Sequence, residues 1–152
     1  EGVDIAPAVS LHADLDDLFR SCTHISLHCG LTPETHHMVD ARRLNLMPQV
    51  GADGVACGAH LVNCARGGLV DESAASEALG NGTLASLALD VFEEEPVGAG
   101  HPLVEHMRFS GTPHIGASTH EAQRRVGMDI ASAVLETLHT GSCPTVVNRD
   151  VL

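Results

Sequence analysis

The stretch Leu61-Val62-Asn63-Cys64-Ala65-Arg66-Gly67-Gly68-Leu69-Val70-Asp71 runs from an apolar segment through a Gly-rich turn to the start of a helix. Residues 61–64 predict a buried strand, which Arg66-Gly67-Gly68 ends. Asp71 is a good N-cap for the Ala-rich helical pattern that follows, and Gly80-Asn81-Gly82 stops that pattern. The stretch therefore predicts one strand–loop–helix unit, with a polar loop directly after the strand.

Similar units precede and follow this one along the chain. Upstream, a short helix leads into a buried strand, and downstream two further strands and a long amphipathic helix follow. The additional predicted elements are a helix at 15–19, a strand at 25–29, a helix at 39–47, strands at 84–89 and 107–110, and a helix at 117–139. Because strands alternate with helices, the predicted fold class is α/β, with a parallel sheet and flanking helices.

The bulk composition narrows the classes of function. With 152 residues, 43% of them hydrophobic, the chain is long enough for one domain with its own core. We therefore expect residues 1–152 to form a single domain, with 140–152 as a C-terminal tail. All eight basic residues are Arg, and the lack of Lys excludes Schiff-base catalysis and a Walker-type phosphate site. The net charge of −12 repels nucleic acid and anionic membranes, so neither is an expected partner.

The cysteines and histidines indicate neither disulfides nor a metal site. The five cysteines form no Cys-x-x-Cys pair, and their odd number favours reduced thiols in a cytoplasmic protein. No apolar run reaches the ~18 residues of a membrane span. His24 and His28 are four residues apart in or beside a predicted strand, which separates them by ~13 Å, too far for one ion. We expect no bound metal.

Three polar clusters lie at or just beyond the carboxyl ends of predicted strands. They are Cys64-Ala65-Arg66-Gly67-Gly68, Asp90-Val91-Phe92-Glu93-Glu94-Glu95-Pro96 and Thr112-Pro113-His114-Ile115-Gly116-Ala117. Taken singly, an Arg after a strand is usually a surface charge and a run of Glu is usually a solvated face. A His beside a Pro is more often structural than catalytic. Active sites of parallel α/β sheets, however, lie outside the carboxyl ends of the strands. The topology therefore predicts that the three clusters share one crevice.

Together the three clusters closely resemble successive signatures of the D-isomer-specific 2-hydroxyacid dehydrogenases. The resemblance rests on residues 62–72, on 88–92 with Glu95-Pro96, and on 113–119, and it extends from Leu15 to Asn148. It implies a Rossmann-like dinucleotide-binding domain and a hydride transfer that interconverts a D-2-hydroxy acid and its 2-keto acid. The implied cofactor is NAD or NADP, and the implied partner is a small 2-hydroxy or 2-keto acid.

The resemblance also implies roles for individual residues. Arg66 would pair with the substrate carboxylate, for which its planar fork of donors is suited. His114 would protonate the keto oxygen, or take the proton in the reverse direction, and Glu95 would orient its imidazole. Asp90 would contact the nicotinamide amide group. The implied cofactor-binding residues are Cys29, Cys64, Ala65, Arg66, Asp90, His114, Ile115, Gly116 and Ala117.

Glu93 and Glu94 compete with Glu95 for the position beside the histidine. The resemblance favours Glu95, because the family places this carboxylate five residues after the residue equivalent to Asp90 and, in one subgroup, just before a proline like Pro96. We expect the two neighbouring carboxylates to be solvated.

The chain departs from the family pattern near its start. No Gly-x-Gly-x-x-Gly turn for the pyrophosphate is found, since residues 1–14 contain only Gly2. Asp4 is only a weak candidate for the acidic residue at the ribose. We therefore expect a truncated chain with a partial Rossmann-like sheet that lacks the glycine-rich first βαβ unit. Such a half-sheet exposes an edge and apolar helix faces, so we expect a homo-oligomer or pairing with a missing segment.

Residues 50–57 are a second departure. Relatives pass almost directly from a segment like 46–49 to one like 58–61, whereas this chain interposes about eight residues. The insertion either lengthens a loop or disturbs the strand that presents Arg66, and the sequence leaves both alternatives open.

An alternative function is a non-catalytic binding or oligomerisation module. Leu27-His28-Cys29-Gly30-Leu31 with His36-His37 is similar to the C-terminal-binding-protein corepressors. Ala117-Ser118-Thr119 and Glu95-Pro96 are instead similar to phosphoglycerate and hydroxypyruvate reductases. The missing pyrophosphate loop favours a module for the isolated chain, whereas the inherited catalytic positions favour dehydrogenation.

Overall fold

The computed structural model describes residues 9–143 and 145, so Asp4 and most of the expected tail lie outside the described residues. The helices and strands in chain order are α1 Leu15–Ser21, β1 His24–Leu27, α2 Ala41–Leu44, β2 His60–Asn63, α3 Glu72–Asn81, β3 Ser86–Leu89, β4 Phe109–Gly111 and α4 His120–Thr140. The chain divides into two compact units, Glu1–His114 with the sheet and Ile115–Leu152 with α4. A single domain over 1–152 stays a prediction.

The four strands form one parallel sheet in the order β1-β2-β3-β4. Leu27 pairs with Asn63, Asn63 with Leu89, and Leu89 with Gly111, so the strands end at the same level. Helices follow β1, β2 and β4, and together with the parallel sheet they confirm the predicted α/β class. Its carboxyl ends therefore share a single edge, which is where the three polar clusters begin.

The buried core packs against one face of the sheet. Side chains alternate between the two faces of a strand, and every second residue is buried here. The buried strand residues are Ile25, Leu27, Leu61, Asn63, Leu87 and Leu89. Phe19 of α1 and Leu79 of α3 are fully buried in the same cluster. On the opposite face His24 and Ser26 are exposed. The apolar contacts that hold the strands in register therefore come from one side.

Helix α3 follows β2 as the sequence predicts. The side chain of Asp71 accepts a hydrogen bond from the Ala74 amide at 2.9 Å, which caps the first turn. At the other end Gly82 adopts a left-handed conformation with φ 85°, and its amide donates to Leu79. Both predicted ends of this helix are confirmed.

The helix predicted at 39–47 is shorter in the structure. Val39 pairs with Val70 in a parallel bridge, so its backbone is extended and α2 begins only at Ala41. The amide of Met47 bonds the carbonyl three residues back, and Pro48 has no amide to continue a helix. Pairing with a distant segment therefore overrides the local helical pattern.

The insertion at 50–57 closes on itself. Val50 and Ala56 form an antiparallel bridge, and the amide of Gly51 donates to Val55 at 2.8 Å. Strand β2, which follows it, is paired over its whole length with β1 on one side and β3 on the other. The insertion therefore lengthens a loop and leaves the strand that leads to Arg66 intact.

Helix α4 is the longest helix in the described part of the chain, with 21 residues. It begins at His120, after Thr119 accepts from the Ala122 amide at 3.1 Å, and it is capped by Gly141 in a left-handed conformation. The predicted start at 117 is three residues early because Ala117 has a φ of 60° and Thr119 is the cap. Within residues 9–143 and 145, no helix combines the length and apolar character needed to cross a membrane.

The one-sided core predicts unequal effects of neighbouring substitutions in β2. Leu61→Ala should lower the free energy of unfolding by about 2–5 kcal/mol, because Leu61 is 1% exposed and its removal leaves a cavity. Val62→Ala is the matched control, and since Val62 is 37% exposed it should cost about 1 kcal/mol or less. Urea unfolding of both variants measures the difference. Equal losses would contradict a one-sided core.

Candidate active site

The Arg66 turn at the end of β2 is shaped by a buried asparagine. Asn63 is 1% exposed; its Oδ1 accepts from the Ala65 amide at 3.0 Å and its Nδ2 donates to the Arg66 carbonyl at 2.8 Å. The Arg66 guanidinium is exposed at this edge and donates to the Ala65 carbonyl at 2.6 Å. Asn63 was not predicted as a site residue, although an Asn two residues before a turn is a known signal for such bonding.

Gly67 brings this turn against the loop that follows β3. A Cβ atom at Gly67 would lie 1.8 Å from the carbonyl oxygen of Phe92 and 3.2 Å from the amide nitrogen of Glu93. Only a residue without a side chain fits such an approach. The Arg66 turn and the loop that carries Glu95 are therefore in direct backbone contact.

Asp90, the first residue after β3, links three strand ends. Its amide donates to the Asn63 carbonyl at 3.0 Å, and its carboxylate accepts from the Thr112 hydroxyl at 2.5 Å. Asp90 is 5% exposed, so these bonds form in a largely desolvated place. Thr112 belongs to the third predicted cluster but not to the predicted site residues, and its hydroxyl is a partner of Asp90.

Glu95 and His114 meet at the same edge of the sheet. Nδ1 of His114 lies 2.7 Å from Oε2 of Glu95, and Oε1 of Glu95 accepts from the Phe92 amide at 2.9 Å. Both side chains are partly exposed, 44% for His114 and 35% for Glu95. The hydrogen bond from His114, followed by that from Phe92, lowers the pKa of Glu95 below its ordinary value. Glu95 is therefore the carboxylate beside the histidine.

The backbone of His114 has an unusual conformation. Its φ is +54°, a left-handed value that a residue with a side chain adopts rarely and at some cost. Its amide donates to the Thr112 carbonyl at 3.0 Å, which closes a tight turn after β4. Strain of this kind clusters at functional positions, so it supports a role for the imidazole.

A cavity opens beside the pair. Its volume is about 850 Å³, and its lining is mainly apolar, with Phe92, Val97, Val104 and Phe109 among the side chains next to Glu95 and His114. An apolar cleft with a few convergent polar groups is the usual form of a small-molecule site.

The remaining predicted cofactor residues divide between the two units. Cys64 is exposed and Ala65 half-buried directly after β2, while Cys29, two residues after β1, is half-buried with its thiol 3.5 Å from Met38 Sδ. Ile115, Gly116 and Ala117 belong to the second unit, where the Ile115 carbonyl accepts from the Ser118 amide at 3.0 Å. No group of three metal-ligating side chains occurs in the described part of the chain.

Residues 4–116 match the family model of the D-isomer specific 2-hydroxyacid dehydrogenase, NAD binding domain. The chain belongs to this dehydrogenase family. It is similar to D-3-phosphoglycerate dehydrogenase of Methanocaldococcus jannaschii, with 41% identity over 92% of this chain and 25% of that protein. It is also similar to glyoxylate reductase of Thermofilum pendens, with 37% identity over 91% of this chain and 39% of the relative.

A solved structure of the family shows the same fold. The NADPH-dependent glyoxylate/hydroxypyruvate reductase of Sinorhizobium meliloti, in complex with NADP and malonate, matches with a TM-score of 0.69 and 27% identity. The match covers 90% of this chain and 40% of that structure. The chain thus spans about a quarter to two-fifths of the length of these dehydrogenases.

The two glutamates before Glu95 differ in their partners. Glu93 is exposed, as expected, but its Oε1 also accepts from the Glu72 amide at 3.0 Å and lies 3.1 Å from Nε2 of His37. Both partners are distant in sequence, so a run of three glutamates carries no local signal for them. Glu94 is exposed, as expected.

The close approach of Gly67 predicts a large effect of adding one methyl group. Gly67→Ala should lower the free energy of unfolding by about 3 kcal/mol, since the new Cβ has no space beside the Phe92 carbonyl. Gly80→Ala is the control: it has open space in α3 and should raise stability by about 0.5–1 kcal/mol. Chemical denaturation measures both, and a neutral Gly67→Ala would refute the contact.

The bond between Glu95 and His114 predicts a shift on removal of the imidazole. His114→Ala should raise the pKa of Glu95 toward its ordinary value, because the largest cause of its lowering is gone. The carboxylate stabilises the fold above its unfolded-state pKa, and this contribution is lost as the pH falls through the folded-state pKa. Carboxyl ¹³C NMR titration measures the shift, with His120→Ala as control. An unchanged Glu95 pKa would mean that the pair does not form in solution.

Proposed function

We propose that this chain is part of an NAD(P)-dependent dehydrogenase that interconverts a D-2-hydroxy acid and its 2-keto acid. The observation that carries the proposal is the 2.7 Å contact between His114 and Glu95 at the carboxyl edge of a parallel sheet. Membership of the dehydrogenase family supports the reaction type. The identity of the acid belongs to the proposal, since relatives include both phosphoglycerate dehydrogenases and glyoxylate reductases.

His114 is the proton donor and acceptor in this proposal. Its Nδ1 is engaged by Glu95, so Nε2 is the atom that would protonate the carbonyl oxygen of a keto acid or deprotonate a hydroxy acid. Glu95 holds the ring in one orientation through its contact with Nδ1. Its own ionised state is maintained by bonds from His114 and from the Phe92 amide.

Arg66 is the proposed anchor for the substrate carboxylate. It lies on the loop after β2, which Gly67 holds against the loop that carries Glu95. A guanidinium can form two parallel bonds with a carboxylate, which fixes orientation as well as position. The exposed Arg66 side chain makes its described bond only to the carbonyl of Ala65, and exchanging that bond for a substrate requires little rearrangement.

The residues around the strand ends fit a nicotinamide cofactor, which supplies or accepts the hydride when bound. Asp90 offers a desolvated acceptor for a carboxamide, and the exposed Cys64 and half-buried Ala65 would line the site. Cys29 and residues 115–117 are also proposed to bind the cofactor, because of the family signatures that they belong to. The choice between NAD and NADP stays open in the proposal, since the family model is of an NAD-binding domain and one similar structure contains NADP.

Assembly and location are also proposals. We propose a cytoplasmic protein that acts as a homo-oligomer or pairs with another segment of a longer chain. Support for pairing comes from α4, along which apolar side chains such as Val126, Ile130 and Leu138 are exposed within the second unit. Support for a reducing compartment comes from the free thiols of all five cysteines.

The proposal predicts cofactor-dependent turnover that requires His114. Purified chain is titrated with NADH and NADPH, and loss of reduced cofactor is then followed with glyoxylate and hydroxypyruvate. His114→Ala should lower kcat by about 10²–10⁴-fold with little change in cofactor Kd, because a general acid acts in the reaction rather than in cofactor binding. Arg66→Gln should mainly raise KM for the keto acid.

His120→Ala, on an exposed helix end, is the matched control and should leave turnover unchanged. Turnover that survives His114→Ala would contradict the proposed role of the imidazole. Cofactor binding without any turnover would favour the non-catalytic module, and no binding at millimolar cofactor would rule out an enzyme made of this chain alone.

A further inference from the structure

A cluster of four titratable side chains lies next to the proposed active site but is not used by it. It consists of His37, Glu72, Glu93 and His101, and we call it the Glu72–Glu93 cluster. Nε2 of His37 lies 3.1 Å from Glu93 Oε1, and Nε2 of His101 lies 3.1 Å from Glu72 Oε2. Each carboxylate thus has a histidine as a partner.

The two carboxylates also bond each other's backbone. The amide of Glu72 donates to Glu93 Oε1 at 3.0 Å, and the amide of Glu93 donates to Glu72 Oε1 at 2.7 Å. Glu72 is the first residue of α3, so the Glu93 carboxylate satisfies one of the helix's unpaired amides and is favoured by the helix dipole. This reciprocal pair ties the start of α3 to the loop after β3.

The histidines extend the link to further segments. His37, in the loop after β1, donates its amide to the Gly68 carbonyl at 2.7 Å and has a φ of +50°. The ring of His101 packs edge-on against the ring of Phe92, with centroids 6.1 Å apart. The cluster therefore joins the loop after β1, the Arg66 turn and two points, Glu93 and His101, of the loop that carries Glu95.

Holding two carboxylates close together in a partly buried place costs free energy. An incidental contact would therefore not explain this arrangement. The Glu72 side chain is only 11% exposed, and burial raises its pKa, with the nearby charge of Glu93 acting in the same direction. Two carboxylates are held together here by bonds to backbone amides and by flanking histidines. If the position of this loop did not matter, the fold would be more stable with both carboxylates in water.

We propose that the Glu72–Glu93 cluster positions the Glu95–His114 pair, by holding the loop after β3 against the Arg66 turn. Its meaning for catalysis rests on the proposed function, whereas its effect on the geometry of Glu95 does not. Glu93 directly follows Phe92, whose amide donates to Glu95 Oε1 and whose carbonyl is covered by Gly67. Movement of Glu93 would therefore move the donor that holds the Glu95 carboxylate. The four residues are positioning residues in this proposal.

The test uses two neighbouring substitutions with opposite expected signs. Removing a negative charge near Glu95 lowers the pKa of Glu95 by electrostatics alone, and Glu94→Ala, at an exposed site, should do only that. Glu93→Ala removes the same charge but also releases the loop, so the Phe92 amide no longer holds the Glu95 carboxylate in place beside His114. The pKa of Glu95 should therefore rise in Glu93→Ala. Carboxyl ¹³C NMR titration of the whole chain, without cofactor or substrate, measures both variants.

Two further variants separate positioning from a general loss of folding. Glu93→Gln keeps an oxygen that accepts from the Glu72 amide and should restore much of the wild-type Glu95 pKa. His37→Ala removes one partner of Glu93 and should raise the Glu95 pKa in the same direction by a smaller amount. A lowered Glu95 pKa in Glu93→Ala, equal to that in Glu94→Ala, would overturn the proposal. If Glu93→Ala does not fold, an unchanged or lowered pKa in His37→Ala would overturn it instead.

The outcome is independent of whether the chain turns over substrate. Where turnover is observed, Glu93→Ala should lower kcat by about 10- to 100-fold with KM for the cofactor unchanged, because a small misplacement of the acid is enough. A raised Glu95 pKa in a chain without turnover would support the cluster and count against the proposed function alone. Turnover with an unaltered Glu95 pKa in Glu93→Ala would count against the cluster alone.

Discussion

The in-register parallel pairing of four short strands is the constraint on which the rest of this protein depends. Because Leu27, Asn63, Leu89 and Gly111 lie side by side, the residues that follow them leave the sheet at one level. The four loops that begin there, far apart in sequence, thereby start from a common edge. The register is held by apolar burial on one face of the sheet, so the core and the candidate active site have a common physical origin.

At that edge, buried polar groups replace the apolar contacts of the core. Asn63 and Asp90 are the polar residues buried in the described part of the chain, and both direct their side chains into the loops after the strands. In a desolvated place such bonds specify one geometry, because leaving a partner unsatisfied costs more than the bond contributes. Gly67 adds a steric requirement, since the Arg66 turn and the Phe92 carbonyl occupy touching positions. Contacts between protein groups thus fix the geometry of these loops.

Glu95 and Glu72 illustrate how local surroundings set the pKa of a carboxyl group. Bonds from His114 and the Phe92 amide lower the pKa of Glu95, so it stays ionised beside the imidazole. Burial and the charge of Glu93 raise the pKa of Glu72, which sits at the start of α3. The first arrangement suits a group that supports proton transfer, and the second suits a group that holds two segments together.

The sequence by itself determined the alternation of strands and helices, the ends of α3 and the clusters that hold Arg66, Glu95 and His114. These features depend on periodicity, on caps and on short motifs, all of which are local. Only the tertiary structure decided that α2 is a single turn, that the insertion at 50–57 closes on itself, and that Glu93 bonds Glu72. The short α2 and the bond between Glu93 and Glu72 both depend on partners far along the chain. Such contacts leave no pattern in the sequence of either segment alone. The insertion's bridge is local, but only its folded geometry showed that β2 keeps both its neighbours.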